Sequence, residues 1–137
     1  RASLHHAYAP GLCLSRANEL LGPGGIVVIA MSNNHDGVCG RLFRGHVSSY
    51  EQAHNYLFST ATLSCYLEGK GFEILRSLYP YFDTGYSSIS DFLSLPFVYG
   101  KYLLLKLAGK SNAEATYDFS SPPFYGNYVN LYARKCG

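Results

Sequence analysis

The stretch Leu20-Leu21-Gly22-Pro23-Gly24-Gly25-Ile26-Val27-Val28-Ile29 decides the fold of this chain of 137 residues. Before it, apolar residues recur at helical spacing from Pro10 to Leu21, and Pro10 suits a first helical turn. Gly22 suits a left-handed cap at the end of that helix. After the glycine turn, Ile26 to Met31 is continuously apolar and largely β-branched, which is typical of a strand buried on both faces of a parallel sheet. Helix, tight turn and strand form half of a βαβ unit, so the sequence predicts an α/β fold.

Further elements follow along the chain. Ser59 suits the N-cap of a second helix, and Gly71 suits its end. Residues 72–79 then form a predicted strand that a proline stops. Residues 125–135 alternate apolar and polar side chains, which predicts a final strand near a sheet edge.

Residues 80–123 form a predicted helical insertion. Asp91 can cap an apolar helix over 92–107, which Pro96 is expected to kink or split. This helix is apolar nearly all round, so it needs cover from something other than water. Its aromatic rings, with those just before it, either line a pocket under a helical lid or pack on the sheet or on a second subunit.

Composition excludes several classes of protein. A chain that is 47% hydrophobic is too apolar for disorder, and at this length it can bury a core. Eleven Lys and Arg against nine Asp and Glu, without a long run of like charge, give no footprint for nucleic acid or an anionic membrane. The longest apolar run, 26–31, falls far short of the ~20 residues of a membrane span. The expected partners are therefore small molecules.

Four cysteines stand without any C-x-x-C pair. Cys13 and Cys65 fall in apolar helical patterns, where cysteine often acts as a small buried hydrophobe. This favours free thiols in a reducing compartment, which predicts a cytoplasmic protein. The histidines lack metal-ligand spacing, so no metal site is predicted and a metal-dependent hydrolase is the weakest enzymatic alternative.

Four segments in order resemble one family. The turn over 20–25, running into a strand, resembles the "L-L-K-P-G-G" turn of class I S-adenosylmethionine-dependent methyltransferases, with Gly22 where that motif has lysine. Residues 3–6 resemble the end of the family's fourth strand. Residues 54–74 resemble the "H-x-x-x-F-S … L-E-x-x-G-F-E" stretch of the subgroup that methylates small molecules, and 126–135 resembles its last antiparallel strand.

The resemblance implies the C-terminal half of a Rossmann-like methyltransferase sheet, with a parallel strand, antiparallel final strands and the insertion 80–123. The family holds S-adenosylmethionine with a glycine-rich turn after its first strand and an acidic residue ending its second, and neither is present here. One expectation is that the preceding residues were removed or lie on another segment, which a start at Arg1 favours. The other is a half-domain without ordinary catalysis.

The resemblance also assigns site residues. Ser3, Leu4 and His5 are expected to contact the cofactor mainly through the backbone. His6 and His54 are the expected catalytic residues, because a histidine near neutral pKa can remove the acceptor's proton. The alternative for both is a structural histidine that bonds to the backbone or packs.

Acceptor contacts are expected from the loops after strands, on the ligand side of an open sheet. His35, Tyr50 and Tyr56 are the predicted substrate-binding residues. Asp36 is a further possible base, although Asn33-Asn34-His35-Asp36-Gly37 is equally good turn material.

A second class of function stays open. The apolar helix 92–107 suits dimerisation, so the chain is alternatively a non-catalytic interaction module derived from this fold. The expected macromolecular partner is a second copy in a homodimer, or the missing N-terminal half.

Overall fold

A computed structural model describes residues 4–43, 55–82, 84–85, 87–109 and 125–137. The chain begins with a short 3-10 helix, Leu4–His6. The remaining elements in chain order are α1 (Pro10–Leu20), β1 (Ile26–Asn33), α2 (Val38–Phe43), α3 (Thr60–Glu68), β2 (Phe72–Leu78), α4 (Ile89–Leu107) and β3 (Tyr128–Lys135). The predicted α/β class is therefore confirmed in this mixed architecture.

The strands form an antiparallel sheet in the order β1-β3-β2. Ala133 of β3 lies opposite Val27 of β1 on one side and opposite Ile74 of β2 on the other. β1 and β2 therefore run in the same direction with β3 between them. The prediction of a final strand near the sheet edge is wrong, because β3 is the central strand. The alternation of apolar and polar residues along β3 indicates that one face of the strand is covered, but it does not indicate which strands pair with β3.

One face of the sheet carries the main core. The buried residues Leu14, Phe58, Leu63, Leu67, Phe72, Val129, Leu131 and Ala133 come from α1, α3, the segment before α3 and two of the strands. On the opposite face Ile26 and Val28 are 56% and 45% exposed. The prediction that β1 is buried on both faces is therefore wrong for the described residues, where α1 and α3 pack on one face and β1 has no parallel neighbour.

The α1–β1 connection closes differently from the prediction. Gly24, and not Gly22, has the left-handed backbone, with φ of 72°. Gly25 N–H donates to Gly22 O at 2.9 Å. Pro23 followed by a glycine at positive φ is the pattern of a type II turn. The segment 22–25 is therefore a tight turn between α1 and β1, and Gly22 is not a left-handed helix cap.

The buried stripe of α1 is shifted from the predicted one. Leu14 is 2% exposed, whereas Cys13 is exposed and Leu20 is 71% exposed. Cys65 is exposed as well, since Leu63 and Leu67 take the core positions of α3. All four cysteines are free thiols, but only Cys39 is the small buried hydrophobe that was expected of Cys13 and Cys65.

The insertion builds a second core against α2. Cys39 and Phe43 of α2 are buried with Tyr81 and with Tyr102 of α4. α4 continues through Pro96 as one helix over Ile89–Leu107, so the prediction that Pro96 splits the helix is wrong. None of the described helices, α4 included, is long and apolar enough to cross a membrane.

Tyr81 anchors the start of α4. Its hydroxyl accepts from Ser88 N–H at 3.0 Å and donates to Asp91 Oδ2 at 2.8 Å. Ser88 is the N-cap, accepting from Ser90 N–H, so Asp91 is not the cap that was predicted. Asp91 is instead buried in the first turn, at 5% exposure. Burial and the Asp91 carboxylate raise the pKa of Tyr81, and the hydrogen bond that the Tyr81 hydroxyl accepts from the Ser88 backbone N–H offsets part of this rise.

We expect Tyr81→Phe to lower the free energy of unfolding by about 1–3 kcal/mol, because it leaves a buried carboxylate without its donor. Urea unfolding followed by circular dichroism measures the change. The matched control is Tyr8→Phe, since Tyr8 is 93% exposed. Equal effects of the two substitutions would contradict the anchoring role.

Candidate functional site

Three consecutive buried polar residues lie at the end of β1 and directly after it. Ser32, Asn33 and Asn34 are 1%, 0% and 2% exposed. Buried polar groups need hydrogen-bond partners, so such a run fixes whatever surrounds it. Ser32 Oγ has no hydrogen-bond partner among the described residues. Sequence reasoning treated this run as turn material, although two adjacent amides directly after a strand were the available signal.

The Asn34 side chain joins three separate parts of the chain. Its Nδ2 donates to Gly126 O at 2.8 Å, just before β3. Its Oδ1 accepts from Thr60 N at 2.9 Å and from Thr60 Oγ1 at 3.0 Å, at the first residue of α3. One amide therefore holds the end of β1, the start of α3 and the approach to β3 in a fixed arrangement.

Asn33 holds the segment that leads into α3. Its Nδ2 donates to Tyr56 O at 3.0 Å, and its Oδ1 accepts from Phe58 N at 3.2 Å. The backbone N–H of His35 donates to Phe58 O at 2.7 Å. The segment 56–58 is thus bonded along the end of β1, and Phe58 is carried into the main core.

The backbone after β1 and the backbone before β3 come into direct contact at two glycines, Gly37 and Gly126. A Cβ added to Gly37 would overlap the carbonyl group of Gly126. Gly126 itself has a left-handed backbone, with φ of 84°. Glycine is therefore required at both positions, at Gly37 by close approach and at Gly126 by conformation.

We expect Gly37→Ala to destabilise the protein by about 1–3 kcal/mol, because the methyl group forces the two backbones apart. Thermal unfolding measures the loss. Gly22→Ala is the control, since nothing lies within 4 Å of a Cβ at Gly22. A Gly37→Ala protein as stable as Gly22→Ala would show that the two segments are not in contact.

A cavity of about 490 Å³ opens at this end of the sheet. Its lining is Asn34, Asp36, Gly37, Val38, Arg41, Thr60, Ala61, Tyr79, Tyr125 and Gly126. The contributing segments follow β1, follow β2 and precede β3, so the cavity lies at the carboxyl ends of the two strands that run in the same direction. Ligands of open α/β sheets bind at this edge, and the volume is within the range of small-molecule sites. We call it the sheet-end cavity.

A second cavity, of about 380 Å³, lies in the insertion. It is lined by Tyr81, Phe82, Ser87, Ser88, Ile89 and Phe92. Phe82 and Phe92 stack with ring centroids 5.9 Å apart. Aromatic rings of the insertion therefore line a cavity, which is one of the two alternatives that the sequence left open, and no charged side chain belongs to this lining.

The predicted site residues fall into separate places. Ser3, Tyr50 and His54 lie outside the described residues. His5 is buried at 2% exposure, whereas His6 is exposed, and their rings are 4.3 Å apart. Asn55 Nδ2 donates to His6 O at 2.8 Å, so His6 is held near the segment before α3.

Tyr56 and His35 lie beside the sheet-end cavity without lining it. Tyr56 stacks on Phe58, with ring centroids 5.8 Å apart, and its hydroxyl donates to Tyr8 O at 3.2 Å. His35 is half-buried between Asn34 and Asp36, which do line the cavity. The described predicted residues are thus not brought into one cluster.

The 3-10 helix holds Leu4 and His5, which the resemblance names for backbone contacts to a cofactor. Leu4 O accepts from Ala7 N, and His5 O accepts from Asn55 N and Tyr56 N at 3.0 and 3.2 Å. Both carbonyls therefore have hydrogen-bond partners within the chain. The described residues do not enclose S-adenosylmethionine by themselves. They also hold no group of three or more side chains suited to a metal ion.

Cys39 is not a nucleophile in this structure. Burial raises the pKa of its thiol to about 12, with a hydrogen bond from Asn127 acting against the rise and the Asp91 charge adding to it. Only the thiolate attacks, so a buried thiol of this kind is inert near neutral pH. Cys39 packs in the second core with Phe43, Tyr81 and Tyr102.

Comparison with known proteins supports the fold. The chain is similar to a candidate methyltransferase of Bacillus halodurans C-125, whose crystal structure is known, with a TM-score of 0.51 and 17% identity. The match covers 100% of this chain and 62% of that protein, so the chain spans less than two thirds of its length. No family model matches the chain, and no curated protein matches it by sequence. At this identity the likeness shows a methyltransferase-like fold.

Proposed function

We propose that the protein takes part in S-adenosylmethionine-dependent methyl transfer to a small-molecule acceptor, with these residues as the C-terminal half of the enzyme. The observation that carries this proposal is the sheet-end cavity, in a chain of methyltransferase-like fold. A cavity at the carboxyl ends of β1 and β2 is where an acceptor would approach from a Rossmann-like sheet. The free thiols agree with a reducing, cytoplasmic setting.

The resemblance supplies the proposed roles. Ser3, Leu4 and His5 would contact the cofactor, whose sulfonium methyl moves to the acceptor while the electrons of the broken carbon–sulfur bond return to sulfur. His54 and His6 would take the proton that the acceptor loses. The resemblance places both among the acceptor-site residues, and a histidine can act as a general base.

The remaining proposed roles concern the acceptor. His35, Tyr50 and Tyr56 would position it, and an aligned acceptor is what the reaction mainly requires of the protein.

The exposed position of His6 leaves its ring accessible from solvent. Asn55, bonded to the His6 carbonyl, would keep that residue in place.

The test uses the intact protein as its gene encodes it. Titration calorimetry with S-adenosylhomocysteine should show stoichiometric binding, and radiolabelled S-adenosylmethionine should transfer its methyl group to an acceptor from a small-molecule library. No heat and no thermal shift with either compound would refute the methyltransferase proposal.

We expect His54→Ala to lower turnover by about 10²–10⁴-fold, the usual contribution of a general base, with nearly unchanged cofactor affinity. Single-turnover assays and calorimetry measure the two quantities. His46→Ala, at a histidine nearby in the sequence without an assigned role, is the control. An unaltered rate in His54→Ala would remove His54 from the site.

A second candidate function, as an interaction module, is favoured by one face of α4. Its most exposed apolar residues, at 67–85% exposure, are Ile89, Leu93, Phe97, Leu104 and Leu107. They recur at helical spacing on the side opposite the buried Asp91 and Tyr102. We call this face the α4 stripe. Apolar stripes of this kind mark interaction sites.

The α4 stripe fits a second copy of the same chain. Gly100 lies on it with open space around its Cβ position, so another helix can approach closely there. The apolar residues are spaced almost evenly on both sides of Gly100. In an antiparallel pair that crosses at Gly100, Phe97 meets Leu104 of the second copy and Leu93 meets Leu107. A self-complementary patch is the requirement for a two-fold dimer.

We expect the protein to sediment as a dimer and Leu104→Lys to make it monomeric, because the substitution places a charge in the contact. Sedimentation velocity measures both states. The control is Leu12→Lys on α1, since Leu12 is 72% exposed but lies off the α4 stripe. A wild-type monomer at high concentration would refute dimerisation. A dimer without cofactor binding would favour the interaction module over the enzyme.

A further inference from the structure

Two side chains of opposite charge line the sheet-end cavity without forming an ion pair. Asp36 follows β1 and Arg41 lies on α2, and both are exposed. Neither makes an ion pair with another residue in the described ranges, whereas Arg16 pairs with Glu19 at 2.6 Å on the surface. The cavity therefore presents one cation and one anion to whatever enters it.

Aromatic surface lines the same cavity. The rings of Tyr79 and Tyr125 are 6.5 Å apart between centroids and inclined at 62°. Tyr79 is 38% exposed and Tyr125 is 39% exposed, so a substantial part of each ring is accessible. Inclined rings at this separation offer an edge and a face to a flat ligand. The Tyr79 hydroxyl lies 3.4 Å from Thr60 Oγ1, which is bonded to Asn34, so one wall is tied to the end of β1.

We propose that the sheet-end cavity binds a small aromatic acid that carries a hydroxyl or amino substituent. Arg41 pairs with the carboxylate, because its planar guanidinium matches that group with two parallel hydrogen bonds. Tyr79 and Tyr125 together form an aromatic wall against which the ligand ring packs. Asp36 accepts a hydrogen bond from the hydroxyl or amino group. The inference rests on the proposed function in one respect: this ligand is taken to be the methyl acceptor.

The two charges select against other ligands. A wholly apolar ligand would strip water from Arg41 and Asp36 without replacing their partners, which disfavours binding. A dianion would meet repulsion from Asp36, and a simple cation would meet repulsion from Arg41. A ligand with an acid at one end and a hydrogen-bond donor at the other satisfies both side chains.

The experiment compares three probes on the intact protein by titration calorimetry. 4-Hydroxybenzoate has both groups, methyl 4-hydroxybenzoate lacks the anion, and benzoate lacks the donor. We expect 4-hydroxybenzoate to bind about tenfold more tightly than either analogue, because each analogue loses the charge-assisted contact at one end. Equal affinity for all three probes, or no binding of 4-hydroxybenzoate, would overturn the inference.

Substitutions then assign each end of the ligand. Arg41→Gln should weaken 4-hydroxybenzoate binding about tenfold and leave the methyl ester unchanged. Asp36→Asn should weaken 4-hydroxybenzoate binding and leave benzoate unchanged. Arg16→Gln, an exposed arginine away from the cavity, is the control. Loss of binding to all probes alike, or an equal effect of Arg16→Gln, would contradict the assignment.

The outcomes separate this inference from the proposed function. Selective binding of 4-hydroxybenzoate without any methyl transfer supports the ligand class and counts against the methyltransferase. Methyl transfer to other acceptors, with no binding of 4-hydroxybenzoate, overturns the ligand class alone. Thermal unfolding of each variant verifies the fold. Arg41→Gln and Asp36→Asn should preserve it, because both side chains are exposed.

Discussion

The hydrogen bonds of the Asn34 side chain are the constraint on which the sheet end depends. Its amide reaches Gly126 on one side and Thr60 on the other, so β1, α3 and the approach to β3 are joined at a buried point. A buried amide that bonds to several segments rigidifies its surroundings, because breaking any one bond leaves a desolvated polar group. The close approach of Gly37 to Gly126 works in the same direction, since it leaves no room for the segments to slide.

This constraint also explains how the two halves of the described structure relate. On one side of it lies the main core, in which α1 and α3 pack on the sheet. On the other side α2 begins directly after the β1 turn and carries Cys39 and Phe43 into the second core with α4. The sheet-end cavity lies where these two cores meet. Several residues of its lining, Asn34, Thr60 and Gly126, are joined by hydrogen bonds. Its charged residues are therefore presented from fixed positions.

Much of the fold was predictable from local pattern. The helix with Pro10 at its start, the helix capped by Ser59 and the strand from Phe72 all match the structure to within a few residues. These elements are fixed by caps, glycines and period, which act within one or two turns of chain. Strand order was not predictable in this way. The central place of β3 depends on its pairing with both β1 and β2, and local alternation carries no information about partners.

The candidate site was predicted only in outline. Acceptor contacts were expected at the ligand edge of the sheet, where the sheet-end cavity lies. His5, His6, His35 and Tyr56 do not line that cavity, and Ser3, Tyr50 and His54 lie outside the described residues. Asn34, Thr60 and Arg41 come together across long sequence separations, which no spacing along the chain reveals.

By itself, the sequence determined the α/β class, most elements and the absence of a metal-ligand pattern, because these follow from residue type and local spacing. Only the tertiary structure decided that Asn34 is a structural centre and that Asp36 and Arg41 share one cavity. It also decided that α4 turns a row of leucines and aromatic rings toward solvent. The physical reason is that hydrogen bonds and burial depend on which distant segments meet. A buried asparagine is fixed by its partners, and those partners are set by the sheet and not by the sequence next to it.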